Sequence, residues 1–345
     1  MASNKKKLVF FERWADPIAE EILGREPDIE LIRLSLADPP ERIWAAMAEA
    51  HGYQWPRPPY VGSRELVRRA PHLLAMSSQG SGCDVMDFPA CNEAGILIVN
   101  QAGLGGREAV AGHALAMMLA LSKQLIQSDR AMRRDRNWHR LDYIGDDLTG
   151  KTVGIVGFGN IGTRTGELCR TAFAMRVLVY DPYLSSAEID RHGGEKVELD
   201  ALLRQSDFVS VHCPLTPETR GMIGVAQLML MKPTAYFICT ARGGICDELA
   251  LAQILRDKRI AGAGIDVWEQ EPPPLDHPLF AFDNVVTSIH IAGVTRSAYR
   301  SCAEAAAMQW IEIFKGKRPP RLVNPEVWPG YKERYRRVMG EPVSG

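Results

Sequence analysis

The sequence predicts an α/β fold in two domains, the larger one a doubly wound parallel sheet, and three observations predict it. The chain has 345 residues, too many for one ordinary hydrophobic core, so two domains are the default. Short apolar runs alternate with helical patterns along most of its length, as strand–helix–strand units and a parallel sheet require. At residues 151–162, Lys-Thr-Val-Gly-Ile-Val-Gly-Phe-Gly-Asn-Ile-Gly joins an apolar run to three glycines at G-x-G-x-x-G spacing, ahead of a helical pattern.

Residues 8–100 read as the smaller α/β unit. Its candidate strands are 8–11, 29–34, 73–77 and 96–99, and its candidate helices are 17–23, 41–51 and 64–69. Residues 51–60 (His-Gly-Tyr-Gln-Trp-Pro-Arg-Pro-Pro-Tyr) read as an aromatic, proline-rich loop. Packing on its own domain is the ordinary use of such a loop; contact of Trp55 or Arg57 with a ligand is the alternative. Ser78-Gln79-Gly80-Ser81-Gly82-Cys83-Asp84 follows a strand. Gly80 and Gly82 leave the backbone uncovered there, so the amides of Ser81 and Gly82 can bind a carboxylate or carbonyl oxygen. An ordinary glycine turn has the same look. Residues 106–131 predict one long helix with a wide apolar face, suited to crossing between domains. Its methionines read as core filler and His113 as a hydrogen-bonded structural histidine.

In the glycine-rich stretch each glycine has a separate physical reason. Gly157 permits the tight turn, Gly159 lets phosphate oxygens approach backbone amides, and Gly162 lets the helix over 163–173 pack on its strand. The helix N-terminus adds free N–H groups and a positive dipole end, which suits a dinucleotide's pyrophosphate. The next strand, 176–180, ends at Asp181, about 20 residues past the glycines. A carboxylate there accepts hydrogen bonds from the adenosine ribose and repels a 2′-phosphate, which favours NAD over NADP. Asp181-Pro182 as a simple turn opener is the duller alternative. Further strands are expected at 208–212, 236–239, 260–265 and 285–289. Ligands of such sheets lie beyond the carboxyl ends of the strands, and there stand His212-Cys213-Pro214, Thr240-Ala241-Arg242-Gly243-Gly244, Asp266 and His290. Residues 295–315 form a last helical pattern, returning the chain to the first domain. The tail from Pro325 carries Trp328, Tyr331 and Tyr335 among arginines, and reads as packing on the protein or a sister subunit.

Composition narrows the class. Apolar content of 46% and charged content of 24% describe an ordinary globule, and a net charge of −1 gives no case for nucleic acid or an acidic membrane surface. Seven scattered cysteines, odd in number and without C-x-x-C or metal-ligand spacing, read as thiols in a reducing compartment, with no metal expected. Lys5-Lys6-Lys7 precedes an apolar run far below signal or membrane length, so the expected location is the cytoplasm.

Taken together, the motifs resemble those of the D-2-hydroxyacid dehydrogenase family, the group that includes 3-phosphoglycerate dehydrogenase and glyoxylate/hydroxypyruvate reductase. They are Gly80-Ser81-Gly82-Cys83-Asp84, Asn100-Gln101-Ala102-Gly103, the Gly157 to Gly162 stretch, Cys213-Pro214-Leu215-Thr216-Pro217-Glu218-Thr219, Ala241-Arg242-Gly243-Gly244, Asp266-Val267-Trp268-Glu269-Gln270-Glu271-Pro272 and His290-Ile291-Ala292-Gly293. The resemblance implies a Rossmann domain that binds NAD, at 107–299, and a smaller flavodoxin-like substrate domain, at 1–106 and 300–345. Crossing helices are implied near 107–131 and 295–315, and a homodimer through the nucleotide domain.

The resemblance also implies a division of labour. His290 is the acid/base, a group titrating near neutrality. Glu271 orients it and favours imidazolium, and Arg242 binds the substrate carboxylate as a planar fork on a planar anion. Gly80, Ser81 and Gly82 join Arg242 and His290 around a small 2-keto or D-2-hydroxy acid. The cofactor set is Gly157, Gly159, Asn160, Ile161, Gly162, Asp181, Pro182, His212, Cys213, Pro214, Thr219, Thr240, Ala241, Asp266, Ala292 and Gly293. Within it, Asp266 matches the position that holds the nicotinamide carboxamide, and Cys213 and Pro214 line the adenosine side. Duller readings stand beside these: His290 as a satisfied strand-end histidine, Arg242 as a surface ion pair, Glu271 as a turn carboxylate with Glu269 as its rival. Ile289 stands where a proline commonly precedes the histidine, which would loosen that loop. Gly112 stands where the family usually carries an acidic residue. Glu271 in place of glutamine argues against formate oxidation, and Ser81 in place of lysine against phosphite oxidation. The second class of function is a binding protein on the same fold, sensing NADH as the family's co-repressors do.

Overall fold

The computed structural model describes residues 5–134 and 138–344. It divides into two compact units. One runs to Gly106 and resumes at Thr295, and the other is Arg107–Val294.

The first unit is built on five parallel strands, β1 (Lys6–Phe11), β2 (Ile29–Leu34), β3 (Gly52–Gln54), β4 (Ala75–Ser77) and β5 (Leu97–Val99). Their order, β2-β1-β3-β4-β5, is the flavodoxin-like order. Strand β1 reads as an unbroken apolar run because both its faces are covered. Leu8 and Phe10 face a core with Trp310, Tyr331 and Tyr335; Val9 and Phe11 face another with Ile43, Met47 and Leu66. Strand β3 lies at the start of the stretch expected to be a loop. Gly52 is the reason it fits: a Cβ there would stand 2.5 Å from the Trp310 ring, whose Nε1–H donates to Gln54 Oε1 at 2.8 Å. Two helices went unanticipated. Phe88–Ala94 is capped by Asp87 and closed by Gly95 at φ 70°. Trp328–Met339, in the tail, buries Arg334, which donates to the carbonyls of Ala70, Pro71, Leu73 and Ala94. The tail thus packs on its own unit.

The second unit holds seven parallel strands: β6 (Thr152–Val156), β7 (Arg176–Tyr180), β8 (Glu195–Lys196), β9 (Phe208–Val211), β10 (Tyr236–Cys239), β11 (Gly262–Ile265) and β12 (Val285–Thr287). Their order, β12-β11-β10-β9-β6-β7-β8, is the doubly wound Rossmann order with a seventh strand added. The helix expected over 106–131 is in fact two, Gly106–Ser122 and Leu125–Arg134, bent by 59°. Gln124 turns left-handed at φ 48°, and the Ser122 carbonyl, orphaned at the helix end, takes the Asp146 N–H at 2.7 Å. Among the described residues no single helix is long and apolar enough to cross a membrane; this pair qualifies only if counted across its bend.

Candidate active site

The order in which the strands are laid down reverses between β6 and β9, and the glycine-rich turn sits at the C-terminal edge of the sheet there. Gly157 has φ 90°, and a Cβ on it would lie 2.6 Å from the Cys213 amide nitrogen at the end of β9. A Cβ on Gly162 would lie 2.1 Å from the Gly157 carbonyl oxygen, so only glycine lets the helix Asn160–Phe173 start this close to its strand. Gly159, the N-cap, faces open space and carries no side-chain cap, which leaves the first N–H groups, from Asn160, Ile161 and Gly162, for a ligand. Asp181 accepts the Phe158 N–H at 2.9 Å through Oδ2 and the Tyr183 N–H at 3.0 Å through Oδ1. Its carboxylate therefore ties the glycine turn to the end of β7, and Pro182 beside it is exposed.

The ends of β9 and β10 lie side by side, since Val211 pairs with Cys239. Each strand is followed by a buried polar atom without a protein partner: His212 Nδ1 and Thr240 Oγ1. His212 Nε2 lies 2.9 Å from Ser210 Oγ, and burial pulls its pKa down to about 4. Burial pushes the neighbouring Cys213 thiol up to about 11, so that sulfur packs as a thiol. Thr219 closes the following loop: its hydroxyl donates to Pro214 O at 2.7 Å and accepts the Thr216 N–H at 2.8 Å. Ala241 is buried, and Arg242 Nη1 donates back to Ala241 O at 2.7 Å.

The end of β11 organises the rest. Asp266 is fully buried; Oδ1 accepts the Ser288 hydroxyl at 2.5 Å and the Ile291 N–H at 2.8 Å, and Oδ2 accepts the Ala292 N–H at 2.9 Å. The His290 N–H donates to the Asp266 carbonyl at 2.8 Å. His113 Nε2 stands 3.0 Å from Ser288 Oγ, whose own proton goes to Asp266, so Nε2 of His113 is the donor. Asp266 thus fixes the loop carrying His290, whose backbone sits in the left-handed region at φ 58°. Ile289 is 84% exposed and takes no part in these bonds. Gly112 faces open space. The His290 ring meets Glu271: Nδ1 lies 2.9 Å from Oε1 and 2.8 Å from Oε2, with both side chains about two-fifths exposed. Glu269 is not the partner. Gly293 follows with room around it.

In the first unit, the turn after β4 is held by its carbonyls. Gly80 O accepts the Gln101 N–H at 2.7 Å, Ser81 O accepts Asn100 Nδ2–H at 2.9 Å, and Gly82 O takes the Ser78 hydroxyl. Among the described residues of this unit, no hydrogen bond engages the amides of Ser81 and Gly82.

Residues 115–292 match the model of the D-isomer specific 2-hydroxyacid dehydrogenase NAD-binding domain. The chain belongs to that family. A glyoxylate reductase of Aeropyrum pernix is 36% identical over 330 residues, 94% of this chain and 97% of its own. A D-3-phosphoglycerate dehydrogenase of Archaeoglobus fulgidus is 38% identical over 260 residues, 75% of this chain; the match spans about half of that relative, 49%. Among solved structures, D-lactate dehydrogenase of Aquifex aeolicus, complexed with NAD and lactic acid, has a TM-score of 0.79 at 27% identity, covering 92% of this chain and 99% of that one. The cofactor of the chain is NAD, and the site fits it: an uncapped helix N-terminus, a glycine facing open space and two orphaned polar atoms lie along one sheet edge.

Two features of the site had weak sequence signals. Ser288 and His113 are 175 residues apart, and only an apolar helix with one histidine on it hinted at the second. Glu248 and His277, which stand behind Glu271, belong to none of the motifs singled out in the sequence.

Proposed function

We propose that the chain interconverts a small 2-keto acid and its D-2-hydroxy acid with NAD(H), and that His290 moves the proton. The observation that carries this reading is the His290–Glu271 pair, with Nδ1 on the carboxylate. A carboxylate on Nδ1 fixes the ring, so that Nε2 is the nitrogen that gives a proton to the carbonyl oxygen or takes it from the hydroxyl. When bound, NAD(H) accepts or supplies the hydride at the substrate's C2. Gly157, Gly159 and Gly162 with the amides of Asn160 and Ile161 would hold its pyrophosphate, Asp181 its adenosine ribose, and Thr240 and His212 the polar groups along the strand ends. Arg242 would pair with the substrate carboxylate through two parallel N–H donors. In the first unit the unengaged amides of Ser81 and Gly82 suit a carboxylate or carbonyl oxygen.

The test is His290→Ala. NADH binding, read by fluorescence titration, stays within about threefold of the parent. Turnover with glyoxylate, hydroxypyruvate or pyruvate, read at 340 nm, falls by about 10²–10⁴, the range general acid–base catalysis contributes. Near-normal turnover would remove His290 from the role. No observation favours a non-catalytic NADH sensor, and silence of the parent protein across that panel would be needed to revive it.

The same reading extends to assembly and compartment. The helix Leu125–Arg134 buries none of its residues, and Leu125, Met132, Leu141 and Ile144 are all more than half exposed, which supports a homodimer through this unit. Light scattering on the purified chain checks it; a monomeric mass would refute it. The seven thiols support a reducing compartment, the cytoplasm.

A further inference from the structure

Behind the His290–Glu271 pair stands a second histidine–carboxylate pair. Glu248 opens the helix Glu248–Arg256, directly after its N-cap Asp247. Its side chain is 12% exposed and that of His277 is 9% exposed, with His277 Nε2 2.9 Å from Glu248 Oε2. His277 Nδ1 accepts the Leu279 N–H at 3.4 Å, which puts the ring proton on Nε2 and makes His277 the donor to Glu248. The other oxygen, Oε1, accepts the Glu269 N–H at 2.7 Å. One residue earlier, the Trp268 N–H donates to Glu271 Oε1 at 3.1 Å. Two consecutive amides of one stretch are therefore each held by a carboxylate, and each carboxylate has its own imidazole.

Trp268 locks the two pairs together. Its ring is buried, edge-on to His277 and Phe280 with centroids 5.2 Å away in both cases. Its Nε1–H holds the Ser288 carbonyl at 3.1 Å, two residues before His290. A buried polar pair is a poor way to gain stability, because apolar residues of similar volume often do as well or better. It is an effective way to fix one backbone arrangement, and the arrangement fixed here carries Glu271.

We propose that Glu248 and His277 are positioning residues for the reaction: they hold the stretch from Trp268 to Glu271 so that Glu271 stays on His290 Nδ1. This rests on the roles proposed above for His290 and Glu271. The charged and titratable groups around the stretch are Glu248, Glu269, Glu271, Asp266, His277 and His290, with Arg242 on the turn packed against Trp268.

The test compares Glu248→Ala, His277→Phe and His277→Gln with the parent and with His290→Ala, all as the full chain. Phenylalanine keeps the ring volume against Trp268 and removes the donor to Glu248 together with the long bond from the Leu279 N–H, so it serves even where Glu248→Ala fails to fold. Glutamine keeps a donor. In Glu248→Ala and His277→Phe, kcat for keto-acid reduction falls about tenfold or more, as expected when a catalytic group is misplaced by a fraction of an ångström. KM and NADH affinity stay within about threefold, since neither side chain is placed on the glycine turn or on Arg242. His277→Gln keeps most of the parent's kcat. Unchanged kcat in both Glu248→Ala and His277→Phe, or a loss in His277→Gln as large as in His277→Phe, with His290→Ala inactive, would overturn the positioning role alone. Normal turnover in His290→Ala would end the parent reading and this inference with it.

Discussion

Gly243 is where one added methyl group probes the site most directly. A Cβ there would stand 2.0 Å from both the carbonyl carbon and oxygen of Trp268 and 2.3 Å from the Glu269 nitrogen. That is about 1.4 Å short of ordinary contact, and the obstacles are backbone, so no side chain can swing aside. Either the turn carrying Arg242 retreats or the stretch carrying Glu271 does. A displacement of about 1 Å at reacting groups costs on the order of 10²-fold in rate, equivalent to about 2.7 kcal/mol of transition-state stabilisation. Overpacking adds about 1–3 kcal/mol of lost stability. The assay is kcat/KM for keto-acid reduction at saturating NADH, with NADH titration and thermal melting alongside. In Gly243→Ala, kcat/KM drops about 100-fold, NADH affinity stays within about threefold and the melting temperature falls by a few degrees. A Gly243→Ala protein with kcat/KM within about threefold of the parent would refute the placement of Arg242 and Glu271 in one catalytic site.

Three other outcomes follow from the geometry. Gly162→Ala sets a Cβ 2.1 Å from the Gly157 carbonyl oxygen and pushes the helix off its strand; NADH affinity falls at least about tenfold, and parent-like titration would contradict the turn's role. Asp181→Ala removes the acceptor for the Phe158 amide and the charge that repels a 2′-phosphate, so the NAD-to-NADP preference falls by about tenfold or more; an unchanged ratio would exclude Asp181 from cofactor choice. Burial lowers the pKa of His212 and of His51 from 6.5 to about 4 in each case. The unfolded chain then binds more protons than the folded one between these values, so stability is full above pH 6.5 and is lost as pH falls towards 4, by at most about 1.4 kcal/mol per pH unit for His212 and by less for His51, part of whose surface stays in water. Denaturant titrations between pH 7.5 and 5 check this, and a flat midpoint would refute it.

Most of the strand framework was legible because strands covered on both faces read as apolar runs, and 153–156, 177–180 and 236–239 are such runs. Strand β3 was hidden because Gly-Tyr-Gln gives no apolar run; its place depends on Trp310, 258 residues after Gly52, filling the space a side chain would take. Strand β8 is only Glu195–Lys196, too short and too polar to mark itself. The break after Ser122 escaped notice because Lys-Gln-Leu-Ile-Gln continues a helical composition; what ends the helix is a distant amide, Asp146, competing for its carbonyl. In the site, short motifs led to the glycines, Arg242, Glu271 and His290. Asp266, expected as a cofactor contact, is fully buried and takes three donors, and these bonds anchor the histidine loop, which no motif spacing marks. Glu248 and His277 lie 29 residues apart in unremarkable contexts, and only folding brings them together.

The first unit is interrupted in the chain: it runs to Gly106 and resumes at Thr295, with the second unit between. Its core joins Leu8, Phe10 and Trp14 to Trp310, Tyr331 and Tyr335. During synthesis the early strands therefore wait, with one face of their sheet bare, until the closing helices leave the ribosome. The intervening sheet, continuous in sequence, is complete well before that. Vectorial synthesis thus sets an order of maturation in which the nucleotide unit can close its core before the first unit can.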